Sequence, residues 1–241
     1  MISNTQLQEE QPIESYLGDN KEYWEKGYEA PNVDHHTFRF FGRILKPEFG
    51  LPEHNEKLLD FGCGQGAAVN FFHMNGFNAY GVDISEKDIS IARSRFSHIK
   101  NKFTICNADP KVQTNYGTEK NYSVITAFQS LYYFSEPDFN IVMGRIYDQL
   151  VPGGVFFATM MGIQSTEFYD NSKSTDDEWL RKVDFSNSRV DVKNYYMFFV
   201  KDERDLVDKF KMFKPVHIGY YSAKLRSDEG DGFHYTFCGV K

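Results

Sequence analysis

The sequence is poor in cysteine, in long apolar runs and in positive charge, and each shortage excludes a class of protein. Its three cysteines are scattered and form no CxxC pair, which argues against a disulfide framework and against a zinc or other metal site. No apolar run reaches the roughly 18 residues that cross a bilayer. The first residues, MISNTQLQEEQPIESY, are polar and acidic and lack the apolar centre of a signal peptide. We therefore expect a cytoplasmic protein without a membrane partner.

The charge balance bears on other binding partners. The chain has 27 Lys and Arg residues against 34 Asp and Glu residues, so its formal net charge is -7. An acidic chain gains little from the release of counterions when it binds DNA or RNA. We therefore expect no nucleic-acid partner. The sequence leaves the oligomeric state open between a monomer and a homodimer.

Aromatic side chains are abundant, with 23 Phe and 15 Tyr among 241 residues. This length and composition suit one α/β domain with additional segments. We expect a flexible N-terminus over residues 1–20, a helical N-terminal lid over residues 21–50 and the α/β domain over residues 51–241. The polar stretch at residues 162–195 is long for a connection and predicts a functional insert.

Strands alternate with helices from residue 57 onward. The predicted strands are KLLDFG, NAYGVD, KFTICNAD, YSVITAF and VFFATMM, followed by a closing pair, FKPVHIGYYSA and FHYTFCGVK. Two of the intervening helices begin with capping boxes, Ser85 with Asp88 and Ser135 with Asp138. The pattern predicts an α/β fold with a doubly wound, mostly parallel seven-stranded sheet that ends in an antiparallel hairpin. Ligands of such sheets bind at the carboxyl ends of the strands.

The stretch LLDFGCGQGAAV places three glycines at alternate positions between a strand and a helix. Without Cβ atoms the backbone can turn sharply and approach a ligand, and the helix N-terminus favours an anionic group. Asp83 ends the next strand, 17 residues after Gly66, a spacing at which an acid can bind both ribose hydroxyls. Asp109, at the end of the third strand, is equally suited to accept from an adenine amine or to lie in a solvated loop. The pattern predicts a nucleotide-like ligand.

The motifs DFGCGQG, GVDIS, NAD and LVPGG, in this order, resemble those of the class I S-adenosylmethionine-dependent methyltransferases. The resemblance covers roughly residues 57–160, and the closing hairpin extends it to the last residue. It implies a Rossmann-like methyltransferase fold, with S-adenosylmethionine as the cofactor and S-adenosylhomocysteine as the product. The residues that it implies at the cofactor are Asp60, Gly62, Cys63, Gly64 and Gly66 in the glycine loop, Asp83 and Ile84 at the ribose, Ala108 and Asp109 at the adenine, and Phe128 and Gln129 at the methionine part. In the N-terminal segment, Tyr28 and Arg39 are candidates for the cofactor carboxylate, and a surface salt bridge is an equal alternative for Arg39.

A dinucleotide oxidoreductase is the alternative for the glycine loop, because GCGQGA also fits the GxGxxA pattern. Three features oppose it. Asp60 precedes the first glycine, the loop is not near the N-terminus, and the chain closes with an antiparallel hairpin.

The residues after the fourth strand bear on the methyl acceptor. AFQSLYYF lacks the Asn/Asp-Pro-Pro-Tyr/Phe motif typical of enzymes that methylate adenine or protein glutamine, and no Pro-Cys nucleophile or magnesium-binding acids are recognisable. A small molecule with a hydroxyl or an amine remains. The N-terminal YWEKGYEAPNVDHHTFRF resembles methyltransferases of bacterial surface-polysaccharide and natural-product pathways, which implies a sugar or a polysaccharide precursor as the acceptor. A protein or RNA methyltransferase and a catalytically inactive cofactor-binding subunit are the alternatives.

The lid also supplies the candidate general base, His35 or His36. Neighbours in a helix point about 100° apart, so at most one of these two faces the site. Aromatic and charged residues further along the chain are candidates for the acceptor pocket. These are Tyr132, Tyr133, Tyr195 and His234, with Arg181 in the insert as a cation for a phosphorylated acceptor.

Overall fold

The computed structural model describes residues 17–21, 33–184, 195–222, 224–228 and 230–241. Among these residues, no helix is both long and apolar enough to cross a membrane. The predicted cofactor residue Tyr28 lies outside the described residues.

Residues 17–21 form a short helical segment that is fixed to the insert. The Asn20 side chain is buried, and its Nδ2 donates to the Tyr196 carbonyl at 2.8 Å while its Oδ1 accepts from the Tyr196 N–H at 2.7 Å. These two hydrogen bonds of a buried amide connect residues 17–21 to the insert strand that contains Tyr196.

Residues 35–49 of the lid form one continuous helical segment. Helix α1 (His35–Phe40) passes through a π-helical turn (Phe41–Leu45) into α2 (Lys46–Phe49), and Gly50 ends it with a φ of 66°. Phe40 is buried and stacks on Phe157 with ring centroids 4.1 Å apart. The lid is thus anchored on the sheet through its apolar face.

The first half of the α/β domain follows the predicted alternation. It contains β1 (Lys57–Phe61), α3 (Ala67–Met74), β2 (Asn78–Asp83), α4 (Glu86–Arg95), β3 (Phe103–Ile105), β4 (Tyr122–Ala127), α5 (Glu136–Gln149) and β5 (Leu150–Met161). Both predicted helix starts are capped, since Ser85 accepts from the Asp88 N–H and Ser135 accepts from the Asp138 N–H. Short 3₁₀ turns at Ser97–Lys102 and Leu131–Tyr133 complete the connections.

The insert after β5 carries its own small sheet. Helix α6 (Thr166–Tyr169) precedes β6 (Ser172–Ser174), β7 (Arg181–Val183) and β8 (Tyr195–Met197), which pair in antiparallel fashion in that order. Helix α7 (Glu203–Lys209) leads to the closing strands β9 (Lys214–Tyr221) and β10 (His234–Val240).

The main sheet has seven strands in the order β3-β2-β1-β4-β5-β10-β9. The first five are parallel, and β10 runs antiparallel to both β5 and β9. Because side chains alternate along a strand, Leu59 packs in a core cluster with α5 while Leu58 packs in a second cluster with α1, α3 and α4. The predicted doubly wound sheet with an antiparallel hairpin is confirmed.

The third strand is shorter than KFTICNAD predicts, since β3 ends at Ile105. Beyond it the Asp109 N–H donates to Asn107 Oδ1 at 2.9 Å, and Asp109 Oδ1 accepts from the Lys111 N–H at 2.8 Å. Side chains of Asn and Asp that bond nearby backbone groups compete with strand pairing. Asp109 therefore lies in a turn and not at the end of a strand.

Candidate active site

A cleft opens at the carboxyl ends of β1, β2 and β4, where the predicted fold places a ligand. Segments 17–20 and 33–37 border it on the other side. Most of the predicted cofactor residues line this cleft. They are Asp60, Gly62, Cys63, Gly64, Asp83, Ile84, Ala108, Phe128 and Gln129.

The three glycines of the loop are required for different reasons. A Cβ at Gly62 would lie 2.4 Å from Ser130 Cβ, and a Cβ at Gly66 would lie 2.5 Å from the Phe103 ring. A Cβ at Gly64 would meet nothing within 4 Å, although φ there is 49°. Gly62 and Gly66 thus allow the protein to pack on itself, and Gly64 leaves its backbone open toward the cleft.

The Asp83 side chain joins the end of β2 to the glycine loop through hydrogen bonds. Its Oδ2 accepts from the Gly64 N–H at 2.8 Å, and its Oδ1 accepts from the Ser85 N–H at 2.9 Å. Burial raises the pKa of Asp83 to about 6 in spite of these bonds. The carboxylate is held rigidly at the cleft wall with lone pairs that can accept from hydroxyl groups.

Asp60 lies beneath the loop and is only 2% exposed. Its Oδ1 accepts from Thr126 Oγ1 at 2.8 Å. The pKa of Asp60 is raised to about 7, mainly by burial and to a smaller extent by the nearby Asp83 charge. Two carboxyl groups that titrate near neutral pH thus face the same cleft.

Three predicted cofactor residues lie away from the cleft lining. Gly66 is buried in the packing of the loop, and Arg39 is exposed on α1. Asp109 is held in its own turn, where the Lys111 N–H occupies one carboxylate oxygen. Gln65 and Asp88, which sequence reasoning missed, do line the cleft, and Gln65 Nε2 donates to Asp88 Oδ1 at 3.2 Å. Only the folded loop shows that these two meet.

The two candidate bases lie on different faces of α1, and only one of them faces the cleft. His36 lines the cleft and is 5% exposed, whereas His35 is exposed and is not part of the lining. The pKa of His36 is lowered to about 3, mainly by burial and to a smaller extent by His35 and His234. His36 is therefore a neutral imidazole at physiological pH.

Four aromatic rings form a column beside the cleft. His36 lies between Phe128, at 5.0 Å between centroids, and Tyr221, at 5.1 Å, and Tyr221 stacks on His234 at 5.0 Å. Gln129 Nε2 donates to the Tyr221 hydroxyl at 2.9 Å. Sequence analysis missed Tyr221 because only the pairing of β9 with β10 brings it to the site.

The predicted acceptor residues are dispersed. Tyr133 lines the cleft, while Tyr132, Tyr195 and His234 are buried behind it, and burial lowers the pKa of His234 to about 4. Arg181 is bound within the insert, where its guanidinium donates to both the Oγ and the carbonyl of Ser172. It is not part of the cleft lining.

The cleft suits the implied cofactor in charge and shape. Among the described residues, no Lys or Arg lines it, and the carboxyl groups of Asp60, Asp83 and Asp88 do. A sulfonium is cationic and a ribose donates hydrogen bonds, so acceptor groups of negative charge fit both. The open backbone at Gly64 gives close access.

The strand order, the glycine loop and the acid at the end of β2 together define the class I methyltransferase fold. A family model described as a methyltransferase domain matches residues 33–223, and the chain belongs to this family. The predicted methyltransferase is thereby confirmed.

Relatives agree with this assignment. A ubiquinone biosynthesis O-methyltransferase from Hydrogenovibrio crunogenus is 30% identical over 109 residues, which cover 44% of this chain and 43% of that protein. The chain thus matches less than half the length of this relative. An S-adenosylmethionine-dependent methyltransferase from Methanosarcina mazei superposes with a TM-score of 0.62 at 14% identity, covering 80% of this chain and 95% of that chain. Another, from Clostridium acetobutylicum, has a TM-score of 0.61 at 17% identity and covers 86% and 92%. The cofactor predicted from the sequence is the one for which these two structures are named.

Proposed function

We propose that the protein transfers a methyl group from S-adenosylmethionine to a hydroxyl or an amine of a small molecule. When bound, the cofactor supplies a methyl group that is already activated on a sulfonium. The observation that carries the proposal is the Asp83 carboxylate, which is fixed by the Gly64 N–H at the carboxyl ends of β1 and β2.

Different residues of the cleft bind different parts of the cofactor. Asp83 accepts from the ribose hydroxyls, and Ile84 and Ala108 flank the base. Gly64 allows close approach of the backbone, and the Asp60 carboxylate favours the positive charge. Phe128 and Gln129 from the loop after β4 separate the cofactor from the acceptor.

The acceptor enters from the side of the lid. His36 projects a neutral imidazole into the cleft and orients the reacting group, as proximity and alignment are the main requirement once the methyl group is activated. A pKa of about 3 makes this ring a weak base. The N-terminal resemblance suggests a sugar or a polysaccharide precursor as the acceptor. Arg181 does not support a phosphorylated form of it, because that guanidinium is bound within the insert.

Calorimetry with the full chain tests the cofactor assignment. S-adenosylmethionine and S-adenosylhomocysteine should bind, and NAD should not. Binding of NAD without S-adenosylhomocysteine would overturn the proposal. A radiolabelled-methyl screen over pooled sugars, amines and phosphorylated metabolites then identifies the acceptor.

A further inference from the structure

Three side chains in the half of the cleft outside the glycine motif donate hydrogen bonds to other parts of the protein. Asn20 Nδ2 donates to the Tyr196 carbonyl at 2.8 Å and also to the Tyr133 carbonyl at 3.1 Å. Gln129 Nε2 donates to the Tyr221 hydroxyl at 2.9 Å. Ser130 donates its hydroxyl to the Phe61 carbonyl at 2.8 Å. Both N–H groups of the Asn20 amide and the hydroxyl hydrogen of Ser130 are thus used inside the protein, and Gln129 keeps one N–H.

Hydrogen-bond acceptors in the same half are available. Asp34 precedes α1, but its side chain makes no capping bond to the helix. Its Oδ2 is 3.7 Å from His36 Nε2, and this carboxylate lines the cleft together with the imidazole. His36 is 5% exposed, and neither of its ring nitrogens has a hydrogen-bond partner among the described residues. A buried polar group without a partner is costly, which indicates that a ligand supplies one.

The negative charge of the cleft lining also favours a ligand that donates hydrogen bonds. Asp34 adds a fourth acid to Asp60, Asp83 and Asp88, and no Lys or Arg of the described residues lines the cleft. Its position on the lid, outside the cofactor motif, places this negative charge on the acceptor side. Such a site attracts a cation that donates hydrogen bonds and repels a phosphate.

We propose that the methyl acceptor is an amine nitrogen of a small molecule, which enters as a cation and is bound through its N–H groups by Asp34 and His36. The inference rests on the proposed function, because it needs the methyl donor in the same cleft. A hydroxyl acceptor would need a base to take its proton. The low pKa of His36, about 3, does not suit that task.

An amine requires no such base during transfer. The ammonium first releases a proton to solvent. The nitrogen lone pair then forms the new N–C bond while the bond from the methyl carbon to sulfur breaks, and its electron pair remains on sulfur. The methylated nitrogen carries the positive charge and can return a proton to solvent. Orientation by Asp34 and His36 is the contribution of the protein.

Two sets of matched probes test the inference with the full chain. Benzylamine, benzyl alcohol and benzyl phosphate form one set, and the corresponding cyclohexylmethyl compounds form the other. Transfer from tritiated S-adenosylmethionine is measured, and the products are identified by mass spectrometry. At least one amine should show a kcat/KM about tenfold or more above its alcohol and phosphate counterparts. Faster transfer to an alcohol or a phosphate, or no transfer to either amine by a protein that binds S-adenosylhomocysteine, would overturn it.

Calorimetry with S-adenosylhomocysteine distinguishes failure of this inference from failure of the proposed function. A protein that does not bind S-adenosylhomocysteine contradicts the proposed function, and the inference is then rejected as well.

Asp34→Asn keeps the shape of the side chain and removes its charge. It should raise the KM of the best amine about tenfold and leave S-adenosylhomocysteine affinity within about twofold. Asp148→Asn, an equal change of charge at an exposed position on α5, is the matched control. Equal KM values for the two variants would exclude Asp34 from acceptor binding.

Discussion

Replacing Asp60 by Asn should make the protein more stable at alkaline pH. The carboxyl group is 2% exposed and accepts from Thr126 Oγ1 at 2.8 Å. Asn has the same shape and retains an oxygen that accepts this bond, but it cannot ionise. The substitution therefore removes a buried charge without opening a cavity.

The magnitude follows from the two pKa values of Asp60. Burial raises its pKa from 3.8 to about 7, so the folded protein holds this proton more tightly than the unfolded chain. The stability that the neutral carboxyl contributes is complete below pH 3.8 and is lost as the pH rises through 7. The loss corresponds to about three pKa units at about 1.4 kcal/mol each, or about 4 kcal/mol at pH 8. In a chain of this size that is about 10 °C in Tm.

Thermal unfolding of Asp60→Asn and of the wild type, followed by circular dichroism from pH 4 to pH 8.5, measures the effect. The two Tm values should agree near pH 4 and diverge as the pH rises, with the variant more stable. Asp148→Asn is exposed and should show no such divergence. A Tm difference that is constant across this range, or a less stable variant at pH 8, would refute the reasoning. The same variant should bind S-adenosylmethionine more weakly at pH 8, because the charge that favours the sulfonium is gone.

Three further predictions concern the cleft. Asp83→Ala should weaken S-adenosylhomocysteine binding at least about tenfold by calorimetry, since hydrogen bonds to a charged group contribute roughly 1.5–3 kcal/mol. The affinity of the wild type should fall as the pH is lowered through about 6, the pKa of this carboxyl group. His36→Phe keeps the stacked ring but removes both nitrogens, so it should lower kcat/KM for the acceptor about fivefold or more with unchanged cofactor affinity, whereas His35→Phe should behave as the wild type. Gly64→Ala should remain folded and bind the cofactor more weakly, while Gly66→Ala should lower the Tm, because its Cβ would lie 2.5 Å from an aromatic ring. The assignment of Asp83 would be contradicted if Asp83→Ala bound the cofactor as tightly as the wild type. The assignments of the histidines and glycines would be contradicted by equal kcat/KM values for the two histidine variants or equal Tm values for the two glycine variants.

Local patterns in the sequence were sufficient for the fold and for the glycine loop after β1. The alternation of strands and helices predicted the sheet, and Ser85 and Ser135 predicted two helix starts that the structure confirms. Asp83 lies where its spacing from the glycines placed it. These features depend on hydrogen bonds and side-chain periodicity within a few residues, or on the fixed geometry of one strand–loop–helix unit.

Competing local bonds account for the part of this loop region that the sequence analysis placed wrongly. Asp109 was expected to end a strand, yet bonds to the Asn107 side chain and to the Lys111 N–H hold it in a turn. The motif alone does not show whether the Asp109 side chain ends a strand or lies in a turn, because the same side chain can bond a ligand or the adjacent backbone.

The acceptor side of the cleft was decided by tertiary structure. The sequence limited the candidate bases to His35 and His36, but only the packing of α1 against Phe128 and Tyr221 places His36 inside. Gln129 and Tyr221 are 92 residues apart and meet because β9 pairs at the far side of β10. Sequence by itself thus determined the fold and the glycine loop, whose geometry is local. The order of the strands and the docking of the lid determined which side chains meet at the cleft, because contacts between distant segments have no periodic trace in the sequence.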